Sequence, residues 1–379
     1  MRRLLPLLCG LLLAACGQRA ARPIGDFTLP VYTPRYASGF EITGAAGSRS
    51  TLVTVHNPWY GDEVTDQYLF IARDGEPAPA GFEGQVLRDE ARRVVCMSGS
   101  YIAMLDALGA ADRVVGVSGA QYLINETLRR RIARGEAADV GFDSNVDFER
   151  LMALRPDLVM LFGIGGADTA LTGKLRELGI PYLYMGEHCE ESPLGKSEWV
   201  VVAAEIAGLR TEGSRLFAAI PERYERLRAL AQQTAARPRV MLNTPYRDTW
   251  FMPARNSYMV RLLEDAGARY VFEENTATQT LPIDIEQAYY LTSKSDFWLN
   301  VSGCNTLDEV RRQNPRLADT PPVREGRVYD NNRRRNAAGG SDFWESGVLR
   351  PDRVLADLVH IFHPELSETD ELYYCRQLE

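Results

Sequence analysis

The chain has 379 residues, 45% of them hydrophobic and 25% charged, and a net charge of −8. An acidic balance argues against nucleic acid as a partner. The length suffices for two domains, each able to bury its own core.

Arg2-Arg3 followed by the apolar run from Leu4 to Leu13 reads as an export signal, because ten residues are too few to span a bilayer. The run ends in Leu13-Ala14-Ala15-Cys16, which matches the bacterial lipoprotein processing box. Residues 1–16 are therefore read as a lipoprotein signal with Cys16 as the lipidated residue, which anchors the protein to a membrane on the periplasmic side. An ordinary secretory signal that happens to contain Cys16 is the alternative. No later stretch is long and apolar enough to cross a membrane.

Residues 17–90 read as a β-rich extension. Thr51-Leu52-Val53-Thr54-Val55 and Gln67-Tyr68-Leu69-Phe70-Ile71-Ala72 predict paired strands around the turn-rich Asn57-Pro58-Trp59-Tyr60-Gly61-Asp62. Residues 77–84 read as a linker.

Residues 91–208 predict the first α/β lobe. The short apolar runs 93–97, 113–117, 158–162 and 181–185 alternate with helical patterns over 101–108, 147–154, 170–178 and 198–207. That alternation predicts a parallel sheet covered on both faces. Residues 209–237 predict a bridging helix, whose helical pattern over 211–236 would extend about 39 Å if it is continuous at about 1.5 Å per residue. Pro221 within it is expected to start a second helical segment. Residues 238–379 repeat the lobe, with strands predicted at 239–243, 270–272, 297–301 and 327–330 and helices at 257–267, 284–291, 307–313 and 351–362. The fold class is thus α/β: two Rossmann-like lobes with parallel sheets, a long bridging helix and a small N-terminal β-rich extension.

Four blocks in order resemble the periplasmic-binding domain of iron-siderophore and vitamin B12 ABC importers. They are Arg93-Val94-Val95-Cys96-Met97-Ser98-Gly99-Ser100 with the helix and strand up to Ser118, Phe148-Glu149-Arg150-Leu151-Met152-Ala153-Leu154-Arg155-Pro156-Asp157-Leu158-Val159, Leu175 to Pro181, and Arg350 to Pro364. The resemblance covers about 91–366 and leaves residues 17–90 outside. It implies a class III substrate-binding protein, monomeric and not an enzyme. Such a protein would hold a metal chelate between its lobes and deliver it to the permease and ATPase subunits of an importer. No cofactor is implied. A ferric siderophore is the expected ligand, with cobalamin or haem as the alternatives. The resemblance also places permease-docking carboxylates at Glu149 and Glu264.

Ligands of such sheets bind beyond the carboxyl ends of the strands. The loops there offer Ser98, Ser100, Tyr101, Gln121, Tyr122, Phe142, Phe162 and His188 on the first lobe. On the second they offer Tyr246, Trp250, Phe251, Arg333, Arg334, Arg335 and Trp344. Aromatics would stack on a planar ligand and polar groups would orient it. The three consecutive arginines would attract an anionic chelate; a solvated basic loop is the alternative. His188 could ligate iron directly, though a lone histidine is more often structural. A lipid-anchored α/β hydrolase is the reading from another class, with Ser98 or Ser100 beside His188 as its catalytic pair. No G-x-S-x-G, Walker A or H-E-x-x-H supports it. Cys96, Cys189, Cys304 and Cys375 would allow one or two disulfides in an oxidising compartment, in any of three connectivities.

Overall fold

A computed structural model describes residues 21–60, 64–163, 169–247, 249–367 and 371–379. The leader and Cys16 lie outside these residues.

The extension forms one sheet of five strands, β1 (Leu29–Tyr32), β2 (Phe40–Gly44), β3 (Thr51–His56), β4 (Asp66–Ala72) and β5 (Gln85–Arg88), in sequential order. The expected β3–β4 pairing is antiparallel, from Thr51↔Ile71 to His56↔Asp66. β5 follows directly on the 77–84 segment read as a linker and joins β4 in parallel.

The first lobe contains β6 (Val94–Cys96), α1 (Gly99–Ala107), β7 (Val114–Val117), α2 (Glu126–Ala133), β8 (Ala138–Asp139), α3 (Phe148–Leu154), β9 (Leu158–Phe162), α4 (Ala170–Leu178), β10 (Tyr182–Met185), α5 (Pro193–Glu198) and α6 (Val200–Ile206). Its helices begin where side chains can accept orphan amide protons: Asp147 accepts from Arg150 N, and Ser98 from Ser100 N. The strands pair in the order β8-β7-β6-β9-β10, all parallel. The winding direction therefore reverses between β6 and β9, and the crevice beyond their carboxyl ends is where such sheets bind ligands.

α7 (Arg210–Ala231) bridges the lobes as one 22-residue helix. Pro221 does not start a second segment. It costs one backbone hydrogen bond, but Phe217, Ile220, Pro221 and Tyr224 are all buried, and that packing outweighs the local penalty. α7 packs on α6 along one flank.

The second lobe contains β11 (Arg239–Leu242), β12 (Pro245–Tyr246), β13 (Thr249–Met252), α8 (Tyr258–Asp265), β14 (Arg269–Tyr270), β15 (Leu281–Ile283), α9 (Ile285–Ser293), β16 (Phe297–Leu299), α10 (Leu307–Gln313), α11 (Pro321–Arg324), β17 (Val328–Asp330), α12 (Asp342–Glu345), α13 (Pro351–Phe362) and β18 (Arg376–Gln377). β14-β11-β16-β17 are parallel and β18 closes the edge antiparallel. Here the reversal falls between β11 and β16. A small antiparallel sheet, β12-β13-β15, stands beside these strand ends.

The largest hydrophobic cluster runs without a break from Phe40 in the extension through Trp199 and Tyr224 to Trp298 in the second lobe. α13 packs against α7 from the second-lobe side. The lobes are therefore welded along the bridging helix, and a gap can open only on the opposite side. Cys96, Cys189, Cys304 and Cys375 are free thiols, so none of the anticipated disulfides is formed.

Candidate functional site

At the β6 carboxyl end, Ser98 Oγ and Ser100 Oγ lie 2.9 Å apart, and Ser100 Oγ donates to Glu187 Oε1 at 2.9 Å. Tyr101 is fully buried with its hydroxyl donating to Leu161 O at 3.2 Å, so it belongs to the core rather than the cleft. Burial pushes the Glu187 carboxyl up to about 7. His188 Nε2 lies 2.9 Å from Gly163 O, which can only accept, so that nitrogen carries the proton. Burial holds the imidazole pKa down at about 4 and thus neutral. With Ser100 bonded to Glu187, Ser98 to Ser100, and the imidazole to a carbonyl, the Ser–His pair that a hydrolase needs is not made. The lone pair on His188 Nδ1 stays unused, but that nitrogen is buried and His188 does not line the cavity between the lobes, so it is poorly placed to ligate iron there.

The loop 331–345 crosses from the second lobe onto the first. Asn336 Nδ2 donates to Gln121 O at 2.9 Å and to Leu123 O at 3.1 Å. Glu345 accepts from Ile124 N at 2.8 Å and Asn125 N at 2.6 Å. Gly340 sits so close that a Cβ would fall 1.7 Å from Tyr122 O. Gln121 and Tyr122 are thus taken up by an interlobe clasp, with Phe142 against Tyr122 at a ring distance of 6.3 Å. The three arginines serve the same loop. Arg333 pairs with Glu371 at 3.1 Å, Arg334 with Asp342 at 2.6 Å, and Arg335 donates to Asn305 Oδ1 at 3.3 Å.

A cavity of about 800 Å³ lies on the open side between the lobes. Asn243 and Asn300 line it, and these residues directly follow β11 and β16, the switch point of the second sheet. Both take left-handed backbone, φ 67° and 60°, which asparagine tolerates. Phe251, Tyr258 and Trp344 supply aromatic surface, and Asn256, Gln279 and Thr280 supply polar groups. Buried Lys196 stands 4.4 Å from the Tyr258 ring centre, and its Nζ donates to Glu187 O. Glu191 adds an acid, held by Asn256 Nδ2. Among the described residues, no lysine or arginine lines the cavity.

Of the residues singled out in the sequence, Phe251 and Trp344 line this cavity, whereas Ser98, Ser100, Tyr122, Phe142, Tyr246 and the arginines do not. Trp250 is 1% exposed, with its Nε1 donating to Leu242 O at 2.9 Å and its ring 5.6 Å from Trp298, which makes it core. Phe162 packs tilted against His188 at a ring distance of 4.3 Å and does not line the cavity. Tyr246 is exposed on its hairpin under Arg247. The sequence reading missed Asn57, Trp59, Tyr60 and Tyr258. The one available signal was an aromatic pair in a turn, which is a costly place to expose apolar surface without a use.

A groove of similar size, about 790 Å³, lies on the outer side against α7, lined in part by Leu108, Arg215, Leu216 and Leu349. It is remote from the strand ends, so topology selects the first cavity. Glu149 is exposed in the first turn of α3, while Glu264 near the end of α8 pairs with Arg255 at 2.7 Å. Among the described residues no group of three or more His, Cys, Asp or Glu side chains could hold a bare metal ion.

Two Rossmann-like lobes fixed by a helix, with a ligand-sized cavity at their switch-point ends, define a solute-binding protein. The sequence profile of the periplasmic binding protein family matches residues 94–333, and the chain belongs to that family, which serves ABC importers and whose members bind solutes rather than act as enzymes. An uncharacterized lipoprotein of Methanocaldococcus jannaschii is 25% identical over 82% of this chain and 77% of its own. A periplasmic haem-binding protein from Pseudomonas aeruginosa superposes with a TM-score of 0.59 at 19% identity, over 76% of this chain and 98% of that one. An ABC-type Fe3+-hydroxamate transport protein from Saccharomonospora viridis gives 0.54 at 17% identity, over 72% and 94%.

Proposed function

We propose that the chain is the lipid-anchored receptor of an ABC importer for a ferric chelate, held in the interlobe cavity and handed to a permease and its ATPase. One observation carries this reading: a cavity of about 800 Å³ with aromatic faces and neutral amides converging on it. Aromatic rings stack on the flat faces of a chelate, and the amides Asn243, Asn256 and Asn300 fix its orientation. Because the described walls carry Glu190 and Glu191 and no cation, a neutral hydroxamate chelate fits better than an anionic catecholate. The aromatic surface favours haem as a second reading, in line with the solved haem-binding relative. Cys16 would carry the lipid, and Glu149 and Glu264 would meet permease arginines.

Trp344 and Trp59 stand in the cavity wall, so tryptophan fluorescence reports occupancy. Titration with a ferric trihydroxamate, a ferric catecholate, haem and cobalamin is expected to show quenching at micromolar or lower concentration by the hydroxamate, weaker by the catecholate. Absence of quenching by all four at that concentration would reject the ligand class.

A further inference from the structure

Among the described residues, none at the carboxyl ends of β6 and β9, the first lobe's own switch point, lines the cavity. The β9 end is roofed by the extension: a Cβ on Gly163 would fall 2.4 Å from Pro58 O. Facing the second lobe across the gap are Cys189, Glu190 and Glu191 of the first lobe and, beside them, the turn that follows β3, with Asn57, Trp59 and Tyr60 in the cavity wall. These residues precede the stretch that the family profile matches, residues 94–333.

Asn57 to Tyr60 are held in place. Asn57 has φ 45°, its N–H donates to Thr65 O at 2.8 Å, and its Oδ1 accepts from Thr65 N at 2.9 Å, which ties the two ends of the turn together. Trp59 packs edge-on to Tyr184 at a ring distance of 5.3 Å. Tyr60 donates to His188 O at 2.7 Å and meets the His188 ring at 5.9 Å. Yet Tyr60 remains 65% exposed, so a ring pinned at its hydroxyl still presents a bare face. Beneath it, buried Glu190 accepts from Ser38 N, Gly39 N and Trp199 Nε1, and Glu198 from Arg35 N, Tyr36 N and Ala37 N. The extension is thereby bolted to the lobe rather than tethered beside it.

We infer that the extension supplies part of the binding site: Trp59 and Tyr60 form a preorganised aromatic jaw that closes on the ligand against Phe251 and Trp344, and they select for a flat or aromatic-shelled chelate. The inference rests on the proposed ligand class. An exposed ring fixed before binding loses little conformational freedom when a ligand stacks on it, so its contact area converts efficiently into affinity.

The test uses the full chain with a ferric trihydroxamate and haem as probes. Trp59→Ala and Tyr60→Ala are each expected to weaken the tighter probe about tenfold, and Tyr60→Phe to stay within about threefold, because the ring remains. Hydroxyl-radical footprinting of the unaltered chain, which needs no variant to fold, is expected to show Trp59 and Tyr60 protected by bound probe. Probe binding that survives both alanine variants, or that leaves both residues unprotected, overturns this inference and leaves the ligand class standing. Failure of the unaltered chain to bind either probe overturns the ligand class and the inference with it.

Discussion

Glu198 is the test of how the extension is attached. It is 0% exposed, and its carboxylate accepts from Tyr32 Oη at 2.7 Å, Arg35 N at 2.8 Å, Tyr36 N at 2.7 Å and Ala37 N at 2.7 Å. Glu198→Ala leaves four donors without an acceptor. At about 1 kcal/mol net for each bond, the loss is about 4 kcal/mol, and more if the amides stay buried and unpaired. Glu198→Gln keeps one oxygen for two of the donors but turns an NH2 toward the others, so it should recover about half. Urea unfolding followed by circular dichroism measures the loss, and limited proteolysis locates it. New cleavage is expected within residues 21–60, with ligand affinity falling as the Trp59–Tyr60 turn is released. An alanine variant that unfolds within about 0.5 kcal/mol of the parent, the range of an inconsequential surface change, would refute the reasoning.

Glu345 gives a signed pH dependence. Burial raises its carboxyl from 4.5 to about 7, so the folded chain keeps a proton that the unfolded chain releases. Stability should therefore fall by about 3 kcal/mol as pH rises between those values, at about 1.4 kcal/mol per unit, and Glu345→Gln should flatten that slope; equal slopes in urea unfolding would contradict it. The paired variant Glu149→Ala, Glu264→Ala should bind ligand like the parent and lose uptake in cells, and uptake at the parental rate would reject the docking role. Because Glu264 already holds Arg255, its single change is expected to alter stability more than that of Glu149. Since Cys96, Cys189, Cys304 and Cys375 are free, added reductant should leave the denaturation midpoint unmoved; a drop would indicate a disulfide.

The α/β lobes were legible because their signals are local. A three-residue strand such as Val94–Cys96 announces itself by an apolar run ending in a Ser-Gly-Ser turn, and α1 by helical spacing up to Gly109. Pro221 misled because its local penalty is offset by α6 and α13 packing on the same helix, which no window of sequence reports. The site was less legible for a related reason. Tyr60 and His188 meet across 128 residues, and Glu198 reaches Tyr32 across 166. Glutamate is ordinarily a surface residue, so two buried ones that hold a segment by its amides leave no mark in composition. Trp250 and Phe251 illustrate the limit of loop-based reasoning. They are neighbours on β13, and alternation sends one into the core and the other into the cavity. The arginine run looked like an anion receptor, yet Arg333 and Arg334 already pair with carboxylates on their own lobe, and Arg335 donates to an amide oxygen there.

A crystal structure grown with a ferric trihydroxamate tests the central claim most directly. The account predicts density for the chelate between Trp59 and Tyr60 of the extension and Phe251 and Trp344 of the second lobe, with Asn243 and Asn300 within hydrogen-bond reach. Density in the outer groove against α7, or a chelate touching only the second lobe, would contradict it.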